Sequence, residues 1–338
     1  MNILVTGGAG YVGSVCTEEL LREGHTVVVL DNLATGHREA VPAGASFIIG
    51  DFGDTRLVGG LVRDHRVGAV MHFAGETLVG KSMTDPQSYF QTNIRKGIDF
   101  LEVLLQEGVR KLIFSSTAAV YGEPISSPIS EEHPTRPINA YGESKLMFER
   151  ILGWYQRAYG FRFAAPRYFN AAGASQEHGE NHVPETHLIP LLLQSIVDPS
   201  YKFVIHGDDY PTPDGTCVRD YVHVRDIARA HILALHALQS GSFTGPFNIG
   251  TSTGYSVRDV LRAVEKVAGK KVASEVGPRR QGDPAVLVAS PDRLRRALGW
   301  EPRDSSLEKI IGSAWEWRRN HAHGYEGSEA ESETMKAK

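Results

Sequence analysis

The chain has almost no cysteine. Cys16 and Cys217 are the two among 338 residues, and their separation matches neither a redox pair nor a thiolate metal site. A disulfide scaffold is therefore excluded, and both thiols are expected to stay reduced. Positive charge is not in excess either. The formal net charge of -4 removes a broad basic surface for nucleic acid and leaves any phosphate to local groups. No apolar run approaches the length of a membrane span, and Met1 leads straight into a strand-like run with no room for a signal peptide. A cytoplasmic protein with no membrane partner and no nucleic acid partner is expected. Internal repeats and heptads are also missing. What is present is a chain of ordinary hydrophobicity and charge fraction, long enough for one large domain and a smaller companion.

The most ordered pattern is at the start. From Met1 a short apolar run breaks into Gly7, Gly10 and Gly13, and a helical pattern resumes from Val15 to Leu21. Strand, tight turn and helix N-terminus in that order suit a dinucleotide. The glycines let the backbone turn and approach a pyrophosphate, and the helix start at Tyr11 and Val12 offers unpaired N–H groups to the anion. The G-x-x-G-x-x-G spacing departs from the commoner G-x-G-x-x-G, so a generic turn is the alternative. A second strand, Thr26 to Leu30, ends at Asp31-Asn32, where an acid holds a ribose hydroxyl and repels a 2′-phosphate. NAD is preferred over NADP on that ground.

Further strands are predicted at Ser46–Gly50, Ala69–Ala74, Lys111–Ser116 and Phe161–Arg167, separated by helical stretches such as Asp85–Gln106. Such alternation predicts an α/β fold, a doubly wound parallel sheet with helices on both faces. Asp51-Phe52 and Phe73-Ala74-Gly75 fall at carboxyl ends of strands, where open sheets bind ligands. Beyond Gly173 the character changes. Proline and histidine rise through Glu177–Pro190, and alternation gives way to Pro211–Gly215. The expected organisation is a cofactor domain over 1–172, rejoined by about 220–250, a substrate domain over 173–219 and 251–323, and a disordered tail over 324–338.

Tyr141 and Lys145 carry the chemistry. Four residues apart on a predicted helix, they share one face, and a cation near a phenol favours the phenolate, a base suited to an alcohol proton. Upstream, Ser115-Ser116-Thr117 ends a buried strand in hydroxyls that can hydrogen-bond the same oxygen. Each feature alone is common, a polar strand cap or a chance spacing. Combined with the glycine turn, they make the chain resemble the extended short-chain dehydrogenase/reductase family, with Thr117, Tyr141 and Lys145 at its catalytic positions on a Rossmann-like fold. Within that family the similarity is to the epimerases that invert C4 of a UDP-hexose. It is carried by Met1–Gly13, Asp31–Leu33, His72–Gly75, Phe114–Gly122, Tyr141–Met147, Arg167–Asn170, Gly207–Val224 and Arg279–Asp283.

The resemblance implies NAD-dependent interconversion of UDP-glucose and UDP-galactose through a 4-keto sugar, in a homodimer joined by the helices at Asp85–Gln106 and Ala140–Tyr159. It adds Asn93, Ser115 and Tyr168 to the cofactor set. To the substrate it assigns Asn170, His187, Leu188, Arg219, Tyr221, Arg280 and Asp283, with the guanidinium groups suited to a diphosphate and the carboxylate to a ribose diol. No metal is expected. Related dehydratases place an Asp-Glu pair after the catalytic threonine, whereas this chain has Ala118-Ala119, which argues for epimerisation or simple redox work. Thr77 and His187 depart from the family's lysine and asparagine. Leu287 stands where the family walls the sugar C2 substituent. The alternatives are an epimerase of UDP-N-acetylhexosamine, UDP-glucuronate or a UDP-pentose, and a non-catalytic NAD-binding sensor.

Overall fold

The computed structural model describes residues 1–198, 200–280 and 282–325. Seven parallel strands form the main sheet in the spatial order Gly245–Ile249, Arg162–Tyr168, Lys111–Phe114, Ala69–His72, Asn2–Thr6, Thr26–Asp31 and Ser46–Ile49, with the short strand Ser116–Thr117 added beside Arg162–Tyr168. The chain begins in the middle of the sheet. Its next two strands go to one side and the later ones to the other, so a crevice opens at the carboxyl ends of Asn2–Thr6 and Ala69–His72.

Strand alternation divides the core into two layers. Leu4, Val28, Val70 and Leu112 face Phe100, Phe148 and Leu152, while Ile3, Val5, Val27, Met71 and Ile113 face Leu20, Ile227, Leu235 and Trp300. Burial on both faces explains why these strands read as continuous apolar runs.

The predicted helix Asp85–Gln106 is interrupted. Pro86–Tyr89 and Gly97–Gln106 are α-helical, and Phe90–Lys96 between them is wound as a π-helix that turns Asn93 inward. π-Helical turns of this kind frequently mark functional sites. The second region has its own core of Ile189, Leu192, Leu193, Phe203, Val260, Val264, Ile310 and Ile311. Its small sheets pair Val218–Arg219 with Tyr255–Ser256 and Val286–Leu287, and Phe203–His206 with Ser274–Gly277.

The tail expected from Gly324 needs a correction at its start. Tyr325 is buried, packs against Trp317, and donates its hydroxyl to the Gly179 carbonyl at 3.2 Å, because an aromatic ring with a satisfied hydroxyl outweighs the polar residues that follow it. Residues 326–338 lie outside the described residues. Among the described residues no helix is long and apolar enough to cross a membrane.

Candidate active site

The glycine turn is tight for identifiable reasons. Gly7 has φ +73°, and a Cβ there would meet the Ala74 backbone nitrogen at 2.5 Å. A Cβ on Gly13 would meet the Gly7 carbonyl oxygen at 2.2 Å, so this position lets the helix Tyr11–Arg22 seat against the turn. Gly10 is less confined and caps that helix without a side-chain acceptor, which leaves the first-turn amides available to an anion. Asp31 fixes the rim. One carboxylate oxygen accepts from the Ala9 amide and the other from Leu33, each at 2.9 Å. Burial pushes its carboxyl above the usual range against the pull of those amides. The second lone pairs of both oxygens can accept from a diol.

Turn, amides and oriented acid together fit a dinucleotide. Around them, Asp51 accepts from Lys96 at 2.6 Å and lies 3.5 Å from the Asn32 amide. Burial opposes its ionisation, but Lys96 and the Gly53 amide hold its carboxyl below the usual range. Phe52 has its ring in the core against His72 and Phe100, and Val12 and Phe73 also pack inward. These three can offer a cofactor their backbone.

The residues expected to handle the proton come from two elements, Thr117 from the short strand Ser116–Thr117 and Tyr141 and Lys145 from the helix Ala140–Tyr159. Alternation along Ser115–Thr117 places Ser115 and Thr117 on one side and Ser116 on the other. Lys145 is buried in the helix Ala140–Tyr159 and donates to the Ser115 carbonyl at 2.9 Å. Its ammonium sits 5.9 Å from the centre of the Tyr141 ring and 4.7 Å from that of Phe114. Burial pushes Lys145 down to about 8, with Glu149 opposing. Tyr141 is half-buried at the mouth. Burial pushes its phenol up, and the Thr117 hydroxyl is the group that pulls it back. Lys145 thus holds its charge beside the Tyr141 ring while hydrogen-bonded to the Ser115 carbonyl. Ser115 also meets the Tyr168 hydroxyl at 2.5 Å. Asn93 accepts from the Glu76 amide at 2.9 Å and donates to Ser144 at 3.0 Å, tying the π-helix to the catalytic helix beside Gly75.

The second region brings the remaining residues together in part. Arg219 and Asp283 are ion-paired to each other. Asn170 donates to the Asp220 carbonyl at 3.0 Å on the strand pair that also contains Tyr221. The Tyr221 ring is buried in the second core. Arg280 is exposed, and His187 and Leu188 begin the helix Leu188–Val197. Leu287 is in register with Arg219 and packs on the cluster of Val120, Tyr121, Ile129 and Leu146, next to the catalytic helix.

Two contributions were not singled out from the sequence. A Cβ on Gly142 would lie 2.5 Å from the Ala119 carbonyl oxygen, so glycine beside Tyr141 is what lets the helix touch the loop after Thr117. Asn139 caps the same helix by accepting from the Gly142 amide at 2.8 Å. Behind the site, Arg167 and Glu149 form a buried ion pair. Glu149 also accepts from Ser116 at 2.5 Å, and Arg167 donates to the Tyr121 hydroxyl at 2.9 Å. A glycine and an Asn at a helix start are weak signals in a sequence, but they were there to be read.

Comparison with known proteins gives a consistent result. The model of the NAD dependent epimerase/dehydratase family matches residues 3–250. The UDP-glucose 4-epimerase of Lacticaseibacillus casei is 48% identical over 327 residues, which covers 96% of this chain and 99% of that protein. A crystal structure of a UDP-glucose 4-epimerase superposes with a TM-score of 0.94 at 46% identity, covering 96% of this chain and 100% of the other. The Brucella ovis UDP-glucose 4-epimerase, solved in complex with NAD, gives a TM-score of 0.90 at 40% identity over 93% of this chain and 97% of its own.

Proposed function

The chain belongs to the NAD-dependent epimerase/dehydratase family, and we infer from that premise that it inverts C4 of a UDP-hexose, interconverting UDP-glucose and UDP-galactose. The observation that carries the reading is the convergence of Thr117, Tyr141 and Lys145 beside a glycine turn and an acid that fit NAD. When bound, NAD supplies the reversible redox step at C4, so that the sugar passes through its 4-keto form and no net oxidation results.

The protein's own groups handle the proton. Tyr141 as phenolate takes the proton from the C4 hydroxyl and returns it to the reduced sugar. Thr117 hydrogen-bonds the phenol oxygen or the sugar oxygen and offsets the penalty of burial on the phenolate. Lys145, fixed by the Ser115 carbonyl, keeps a positive charge beside the Tyr141 ring and would hold the nicotinamide ribose. Ala118 and Ala119 bring no acid or base that could expel water, which favours epimerisation over dehydration.

Arg219 and Arg280 bind the diphosphate, Asp283 the ribose, and Asn170, His187, Leu188 and Tyr221 complete the nucleotide-sugar site. The Arg219–Asp283 ion pair supports this assignment, since one charged pair preset at one place can accept both a phosphate and a diol. A homodimer is supported by apolar side chains left exposed near the helix Ala140–Tyr159, with Met83 at 59%, Trp154 at 66% and Tyr159 at 50% exposure. Two free buried cysteines suit the reducing cytoplasm.

The test is to incubate the purified protein separately with UDP-galactose, UDP-N-acetylgalactosamine and UDP-glucuronate, without added NAD, and analyse the products. UDP-glucose formed from UDP-galactose is expected. Failure with UDP-galactose both without and with added NAD refutes the reading.

A further inference from the structure

Of the histidine-rich stretch before the helix Leu188–Val197 only His187 belongs to the nucleotide-sugar set proposed above, and none of it to the proton chemistry, yet it folds into a compact polar knot. Glu180, His182 and His187 each bring one ligand atom into a space where all three lie within 4.8 Å of one another. The His182 Nδ1 is bonded to one oxygen of Glu180, and the His187 Nδ1 lies 3.9 Å from the other. Glu185 is a fourth donor, with Oε1 2.7 Å from the same His187 nitrogen and also accepting the Thr186 and His187 amides at 2.7 Å. The Glu180 side chain is only 10% exposed. Both imidazoles thus turn the same nitrogen, Nδ1, toward carboxylate oxygens from a single short segment.

We propose that Glu180, His182 and His187 form a zinc site that fastens this segment over the start of the first helix. Two imidazoles and a carboxylate are an established zinc donor set, with a fourth position left for Glu185 or water. Tetrahedral donors around zinc lie about 3.4 Å apart, so the three atoms need only side-chain rotations to close on the ion. Magnesium and calcium require more oxygen ligands than the knot supplies.

The location gives the ion a purpose. His37, after the second strand, bonds the Asn181 carbonyl at 2.7 Å, and Tyr325 bonds Gly179 on the other flank. Tyr11, the first residue of the helix at the glycine turn, donates to the Gly173 carbonyl at 2.6 Å. His178, just before the knot, has its Nδ1 2.8 Å from the Glu18 carboxylate on the helix Tyr11–Arg22, which places the segment against that helix. Zinc would therefore tie the opening of the substrate region to the dinucleotide turn.

A second group, Glu23, His25 and His236, also gathers three donors within 4.8 Å. It is the poorer candidate. The side chains of His236 and Glu23 are 48% and 43% exposed, and the Met1 amino group lies 3.2 Å from His25 Nδ1, putting a cation where the metal would go.

The experiment uses full-length protein without an affinity tag, stripped with EDTA, dialysed against zinc and analysed by plasma mass spectrometry. One zinc per chain is expected in the wild type. Glu180→Gln and His182→Asn should each lower zinc content at least tenfold, and the double variant His25→Asn/His236→Asn should retain it. Hydrogen exchange of the wild type with and without zinc gives a readout independent of whether any variant folds. Slower exchange is expected across residues 178–188 and none around residues 23–25. A wild type without zinc, full zinc in the Glu180 or His182 variant, loss in the His25/His236 variant, or protection confined to residues 23–25 would each overturn the site.

Discussion

Replacing Gly142 by alanine tests how the catalytic geometry is built. The added methyl would stand 2.5 Å from the Ala119 carbonyl oxygen and 2.9 Å from its carbonyl carbon. Both are backbone atoms and cannot swing aside, and carbon contacts relax only near ~3.5 Å, so the helix start must retreat by about 1 Å. Tyr141 is the adjacent residue and Thr117 lies two residues before Ala119, so the retreat opens the phenol–hydroxyl contact itself. A misplacement of about 1 Å can cost ~10²-fold in rate. Helix propensity runs the other way, since alanine is better than glycine by about 0.8–1 kcal/mol inside a helix. Steady-state kcat with UDP-galactose should fall ~10²-fold with KM changed little, while circular dichroism reports an intact fold. An alanine variant with wild-type kcat and a raised Tm would show that close approach at Gly142 is not needed.

Tyr141→Phe should keep the fold and lose ~10²–10⁴-fold in kcat, and a variant above half the wild-type rate would remove Tyr141 as the proton acceptor. Thr117→Val removes the group that lowers the phenol against burial; the base works ionised, so the rising limb of the kcat–pH profile should move to higher pH. An unmoved limb would assign the titration elsewhere. Asp31→Ala should weaken NAD by ~1.5–3 kcal/mol and narrow the preference over NADP, checked by titration with both; equal binding by the unmodified protein would contradict the assignment. With Leu287, shorter than tyrosine, at the position the resemblance assigns to the wall beside the sugar C2, activity on UDP-N-acetylglucosamine is expected in the wild type and should be abolished by Leu287→Tyr with UDP-glucose spared. Equal loss of both activities would mean that Leu287 only packs on Val120 and Leu146.

The fold was legible where the chain repeats one physical pattern. Buried parallel strands leave continuous apolar runs, and strands over Ala69–Ala74 and Lys111–Ser116 follow from these alone, which the fold trims to Ala69–His72 and Lys111–Phe114. The π-helix Phe90–Lys96 did not follow. Its sequence has the same helical periodicity as its flanks, and the extra residue per turn is set by partners far along the chain, Glu76 and Ser144, which hold Asn93 inward. Tyr325 was lost in a polar tail for a similar reason, since its pocket is made by Trp317, His37 and Gly179.

The site shows the same division between composition and contact. Tyr141, Lys145 and Thr117 stand out in the sequence because the proposed chemistry requires those residue types, but the packing among them does not. Spacing on a helix suggests that Lys145 lowers the phenol directly. The fold adds what spacing does not show: the ammonium is buried against the Ser115 carbonyl, 5.9 Å from the centre of the Tyr141 ring, and the Thr117 hydroxyl opposes the upward push of burial on the phenol. Behind these groups, Glu149 and Arg167 are eighteen residues apart and carry no local pattern, yet together they fix Ser116 and the strand end that presents Thr117. A buried pair of this kind contributes little net stability, whereas removal of one partner costs about 3–5 kcal/mol because the other charge is left without a counterpart. Its value here is positional: it makes the angle between strand end and catalytic helix a property of the core, so the groups that handle the proton are aligned before any substrate arrives.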